Sequence, residues 1–551
     1  MWSVLPLLLL GACSGENDKS VFVAPDAPQP LTLELEPTGP DPASADGFAM
    51  ALDRHPLVVE AAKGHRVRQL RFEVLPATET DTTAQGWSPL GSGFIAVYFD
   101  YDTNTAFSVI GDMDDPAPYA VAPSLETLPP TLDEFEAAKL LVLSDPQVQA
   151  DYAAGRIEIF HAMPGTIDRE DGHRVVSVGM RPVNDTEHGE VLGADLSAEA
   201  VLHLPGGGPP NTKVGGFVCN PPPYAGQGGP ARGTQGWARL RILQGGQELW
   251  SLTVRRPASS GAPDGSGIEL YDVRYQGKRM INRAHLPILN VNYDANACGP
   301  YRDWQWQENP FLIGNTLRNV ANGIVLTDWA KTMRETRDDS GNFSGVAVYW
   351  DNIHDQGVII SELEAGWYRY MPEFRLGRDG SLTARFGFDA VQNWCTCQEH
   401  FHHAYWRIDW AIGAGDNRIE QTNDAANGVW TPVSAEEKFI RDDAAGLRWR
   451  VRDVTTGDSV LINPTPGEDP PDVYGSGDAW VLANHANELD DSATGPAPMP
   501  TMANLDAFLT GENVLDTDLV MWWGGHFLHN DANPLSNQTH TVQLNLVPEV
   551  W

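Results

Sequence analysis

The chain has 551 residues, enough for about two to four domains and at least one large core. With 37 Lys and Arg against 74 Asp and Glu, its formal net charge of -37 argues against nucleic acid or an anionic membrane surface as a partner, and a solvated acidic surface is the plain reading. The 53 glycines, 41 prolines and 18 tryptophans are scattered among short runs of alternating hydrophobicity, which predicts a mainly β architecture with many turns.

The opening stretch, MWSVLPLLLLGACSG, has an apolar run too short to span a bilayer, followed by small residues and a cysteine. It resembles a bacterial lipoprotein signal over residues 1–13, which implies an exported chain anchored to a membrane through lipid on Cys13. An ordinary cleaved signal with an incidental cysteine is the alternative. Residues 14–49, rich in Pro, Asp, Glu and Ala, read as a disordered tether.

A small α/β unit is expected over residues 50–120, where RVRQLRFEVLP and GFIAVYFDYDTNTAFSVIGDM are strand-like and the second reverses at Asp102 to Asn104. A second is expected over 128–205. It begins with a helical pattern, TLDEFEAAKLLVLSDPQVQADYAAG, in which Thr131 is the N-cap and Glu134 stands three residues on, and continues with strands RIEIFHAM and HRVVSVGMRP. LPGGGPPNTKVGG then reads as a linker. From residue 233 to 551 short alternating runs dominate, predicting a large antiparallel β-sandwich.

Within that domain, CQEHFHHAYWRIDWAI carries three histidines in four positions of a strand-like run. Alternation puts His400 and His402 on one face with Trp406, Ile408, Trp410 and Ile412, while Phe401, His403, Tyr405, Arg407 and Asp409 form a more polar face. Two imidazoles among tryptophans need hydrogen-bond partners or a metal ion, and the H-x-H spacing lets both converge on one cation. DLVMWWGGHFLHN, near the C-terminus, offers His526 and His529 to complete a three-imidazole site for copper or zinc. Cys219, Cys298, Cys395 and Cys397 are an even set in an exported chain and are compatible with two disulfides, for which three pairings exist. GWYRYMPEFRLGRDGSLTARFGF reads as a hairpin turning at Gly377 to Gly380, with Tyr368, Tyr370, Phe374 and Leu376 on one face.

Taken together these segments resemble the copper amine oxidases, whose topaquinone cofactor is made from a tyrosine of the protein itself. Counting back from Gly380 puts Tyr368 at the precursor position of the family's N-Y-[DE]-Y sequence. His400 and His402 precede Arg407 and Asp409 as the family's H-x-H precedes its Arg-x-Asp. The pattern Asp518, Leu519, Val520, Trp522 leads to His529 as third ligand in preference to His526. CGPYRDW resembles the segment that carries the catalytic base, placing the base at Asp303 and a substrate-gating aromatic at Tyr301. The resemblance covers the domain from about residue 233 and, more loosely, the two small units. It implies copper on His400, His402 and His529, topaquinone derived from Tyr368, oxidation of a primary amine by dioxygen, and a homodimer.

Three departures stand out. Trp367 replaces the Asn before the precursor and Arg369 the acidic residue after it, which puts cofactor formation and the shape of the amine pocket in question. A second, calcium-type ion would use Asp409 and Asp518, but the expected companion Asp is Ala411, which argues against that ion. Two other readings therefore accompany the oxidase: an exported copper-binding protein that has lost the quinone, and a zinc hydrolase on the same three histidines.

Overall fold

The structure is a computed structural model and describes residues 30–74, 93–203 and 233–551, apart from short internal stretches and the longer ones at 309–318, 465–476, 490–504 and 530–538. The lipoprotein-type signal with Cys13, the Gly- and Pro-rich run after residue 203, and Cys219, Cys298, Cys395 and Cys397 lie outside the described residues. No described helix is long and apolar enough to cross a membrane.

Nine strands position the site: β1 (Leu31–Pro37), β2 (Trp237–Gln244), β3 (Lys278–Asn296), β4 (Gly299–Arg302), β5 (Tyr368–Gly377), β6 (Leu382–Ala390), β7 (His400–Trp410), β8 (Leu519–His529) and β9 (His540–Val550). One large sheet runs from β1 and β2 through two further strands to β3, β7 and β8, with β4 paired on β3. The other has β5, β6 and β9 side by side near its middle. Apart from the parallel pair Ile324–Leu326 with Val346–Asp351, the named strands of both sheets pair antiparallel. The mainly β sandwich expected from alternation is what forms.

One core lies between the sheets, and both contribute to it: Trp406 and Ile408 of β7 share it with Phe374 of β5 and Leu544 of β9. Each such buried side chain contributes roughly 1.5–3 kcal/mol of apolar transfer, enough in sum to hold two large sheets face to face. The outer face of β7 is covered as well. Tyr405 packs there with Trp480 and Trp522 in a separate cluster, so His403, Arg407 and Asp409, read as a polar side, are all buried.

The two smaller four-stranded sheets comprise Val67–Val74 through Ala120–Ser124, and Ile157–Asp168 through Ala200–His203. Thr131 and Glu134 form the expected reciprocal capping box. The helical pattern that follows is two helices, Leu132–Val142 and Pro146–Ala153: Pro146 cannot continue the first, and the Asp145 carboxylate caps the second.

The expected tether over residues 14–49 is corrected where the chain is described. Leu31–Pro37 is an ordered edge strand, with all seven residues in register with β2, and Leu31, Leu33 and Leu35 pack on the main core. Pro42–Leu52 is a helix capped by Asp41, and its Ala45 and Leu52 belong to the first small core, so that unit begins before residue 50. The abundance of Pro and acidic residues masked a period-2 apolar pattern, LTLEL, that finds its partner some two hundred residues later.

Candidate functional site

Strand pairing assembles the histidines. In the β7–β8 ladder His400 is opposite His529, His402 opposite Phe527 and His403 opposite His526. Cross-strand partners share a face, so His529 joins His400 and His402 inside the sandwich, while His526 goes with His403 to the other side. Nε2 of His400 is 3.0 Å from Nε2 of His402 and 3.1 Å from Nδ1 of His529. Nitrogens of all three rings lie within 4.8 Å of one another, and this is the one group of three or more potential metal ligands among the described residues. Burial, reinforced by the neighbouring imidazoles, pushes His402 well below its ordinary pKa, so it is held neutral and able to donate a lone pair to a cation. Its Nδ1 is buried and has no hydrogen-bond partner among the described residues.

Tyr368 reaches this group from the opposite sheet. It is the first residue of β5, with 1% of its surface exposed, and its ring meets that of His402 edge-on at 5.1 Å between centroids. Tyr370, two residues on and on the same face, stacks on Tyr368 at 5.3 Å with the planes 18° apart. The Tyr370 hydroxyl donates to Oδ2 of Asp303, whose other oxygen, Oδ1, is buried with no hydrogen-bond partner among the described residues. Asp303 follows β4, and its amide donates to the carbonyl of Leu289 on β3, the strand that also pairs with β7. Phenol, imidazoles and carboxylate thus come from both sheets and converge in one place. Burial holds the Asp303 carboxyl well above its ordinary pKa. The Tyr370 hydrogen bond acts in the opposite sense, and the nearby charge of Asp264 adds to the rise.

Tyr301 sits opposite Val291 in the β3–β4 pair, two residues from Asp303, and its side chain lies outside the described residues. Asp409 and Asp518, the two carboxylates considered for a second ion, differ in burial and in hydrogen-bond partner. Asp409 is buried, faces Val520 across the ladder and accepts from Asn282, while Asp518 is exposed and accepts from Asn484. Trp367 is buried with its ring 5.9 Å from that of Tyr368, and Arg369 is buried behind the strand.

Several neighbours were not singled out from sequence. His540, at the start of β9, has its ring 5.3 Å from His529, and it reaches the site because β9 pairs with β6. Asp264 comes from a turn, and nothing in its local pattern marks it. Tyr370 carried a signal, its shared parity with Tyr368, but its bond to Asp303 is a long-range contact.

No family model matches the chain, and no curated protein matches it. Solved structures do. A copper-containing benzylamine oxidase from Hansenula polymorpha superposes with a TM-score of 0.60 at 13% identity, covering 92% of this chain and 96% of that one. The fold is that of the copper amine oxidases. A Pichia pastoris lysyl oxidase (TM-score 0.57, 13% identity, 92% and 89% covered) and an Aspergillus nidulans amine oxidase (0.57, 13%, 95% and 90%) extend the likeness over the small units as well as the sandwich. In this copper amine oxidase fold the three-histidine group and Tyr368 both belong to the sandwich.

Proposed function

We propose that the chain is a copper- and topaquinone-dependent primary-amine oxidase. The observation that carries this reading is the convergence of three imidazoles on one point with the Tyr368 ring 5.1 Å from His402, and with Asp303 reached through the stacked Tyr370. The donor set fits: three buried imidazole nitrogens with no carboxylate among them suit a borderline transition metal, and copper adds the redox chemistry that zinc lacks. His400, His402 and His529 would hold it. When bound, it would supply the chemistry by which two dioxygen molecules convert the Tyr368 phenol to the quinone with release of one hydrogen peroxide, and the quinone would serve as electron sink for the amine.

The chain's own residues account for the remaining requirements. Asp303, with one oxygen held by Tyr370 and the other without a hydrogen-bond partner among the described residues, would take the α-proton of an amine bound against the Tyr368 ring, and its raised pKa strengthens it as a proton acceptor. The surrounding tryptophans and phenylalanines exclude water, which protects reactive carbonyl chemistry from side reactions. Tyr301, on the strand leading to Asp303, would gate entry. Overall, amine, dioxygen and water give aldehyde, ammonia and hydrogen peroxide. Homodimerisation, export and lipid anchoring at Cys13 belong to the same proposal.

Trp367 favours a second reading, a copper-binding protein that forms no quinone, because a buried indole occupies the position beside Tyr368. Aerobic copper loading separates the two. A phenylhydrazine-titratable quinone absorption in the wild type and none in Tyr368→Phe supports the oxidase; tight copper binding without colour leaves the binding protein. Activity with zinc and no colour would point to the hydrolase.

A further inference from the structure

Arg369 stands next to the proposed precursor, where the family pattern has an acidic residue, and a lone buried guanidinium would be very costly. It is fully buried and fully engaged. Nε and one terminal nitrogen donate to the two oxygens of Asp339 at 2.7 and 2.9 Å, a bidentate pair. The other terminal nitrogen, Nη1, donates to the carbonyl of Tyr368 at 2.9 Å and to that of Gly366 at 3.1 Å. A carboxylate oxygen of Glu364 is 3.6 Å away.

These contacts close a particular piece of backbone. Ala365 pairs with Tyr368, so Gly366 and Trp367 are a two-residue turn, with Gly366 at a φ of 58° that glycine adopts at little cost. Tyr368 is thus the first residue of its strand, paired with Ala365 on one side and Ala390 on the other, and directly follows the turn. The guanidinium ties together the carbonyls on both sides of Trp367, and Asp339, some thirty residues earlier, fixes the guanidinium in turn. Since side chains alternate, Arg369 does this from the face opposite the Tyr368 ring and leaves the ring free to meet His402.

We propose that the Arg369–Asp339 pair is a positioning device that fixes the backbone of Tyr368, and through it the direction in which the ring points at the three-histidine group. The role rests on the oxidase reading for its purpose, but the geometry belongs to this chain. A fork with donors in one plane is needed, so lysine cannot replace it.

The experiment compares wild type with Arg369→Lys, and with Asp339→Asn in case the first variant does not fold. Copper binding is measured without oxygen, conversion of Tyr368 is followed by the mass of its peptide after air is admitted, and amide exchange of the metal-free protein is measured over residues 363–370 and 400–410. The expected result is copper affinity within about twofold of wild type, conversion slowed by at least about tenfold, and faster exchange confined to 363–370. Conversion at the wild-type rate in a folded variant overturns the proposal. A purely structural role would alter copper affinity and exchange at 400–410 together with conversion, and that pattern also overturns it. If wild type itself never converts Tyr368, the oxidase reading falls separately. Exchange then decides: loosening confined to 363–370 upholds the positioning role, and unchanged exchange there rejects it.

Discussion

The two faces of the β7–β8 strand pair carry the same residue type in the same ladder and reach different ends. Outside, His403 and His526 are joined Nδ1 to Nδ1 at 2.9 Å, and Nε2 of His526 donates to the carbonyl of Gly477 at 3.0 Å. A carbonyl can only accept, so Nε2 of His526 carries a proton, and the pair is a hydrogen-bonded chain ending on the backbone. Inside, ring nitrogens of His400, His402 and His529 gather around one point, those of His402 and His529 lying 3.0 and 3.1 Å from that of His400. Buried imidazole is therefore not by itself a sign of metal; what matters is whether the rings pair off in a chain or converge three together on one point.

The largest expected effect tests the inner face. His402→Ala should abolish tight copper binding measured by metal analysis after dialysis, whereas His526→Ala should retain it. Next in size, Asp303→Asn should still bind copper and form the quinone but lose at least about a hundredfold in amine turnover, read in stopped-flow reduction. The same variant has a stability signature. Asp303 is raised in the folded state, so its contribution is fully present below the ordinary carboxylate range and is lost as pH rises through the folded value. Wild type should therefore lose stability relative to Asp303→Asn across that interval, by about 1–3 kcal/mol once the carboxylate is ionised, as denaturant titrations at several pH values would show. If wild type holds its stability relative to Asp303→Asn as pH rises, the buried acid has been misread.

On the outer face, His526→Ala removes a ring that links His403 to Gly477 and should cost about 1–3 kcal/mol in urea unfolding with copper affinity unchanged. Loss of copper in that variant would erase the distinction between the faces. The smallest effect concerns Tyr370. Its hydroxyl favours the ionised Asp303, so Tyr370→Phe should move the acidic limb of the amine-oxidation profile to higher pH while leaving copper binding intact.

Alternation made much of this site readable in the linear chain. The face shared by His400 and His402 and the tyrosines of the β5–β6 hairpin are local properties, whereas the preference for His529 over His526 comes from the resemblance; in the β7–β8 register His529 pairs with His400 on the inner face. The edge strand Leu31–Pro37 was missed because composition was given more weight than a five-residue alternation whose partner strand is remote.

What the sequence determined by itself was periodicity: which residues form strands, which side chains share a face, and which titratable groups could act together. Only the tertiary structure decided that β5 faces β7 across the core, that Tyr370 bonds Asp303, that Asp339 grips Arg369, and that the outer histidines end on a carbonyl. The reason is physical. A strand's period follows from its own backbone, but the facing of two sheets and the burial of charge are set by contacts between residues far apart in the chain, which no local pattern encodes.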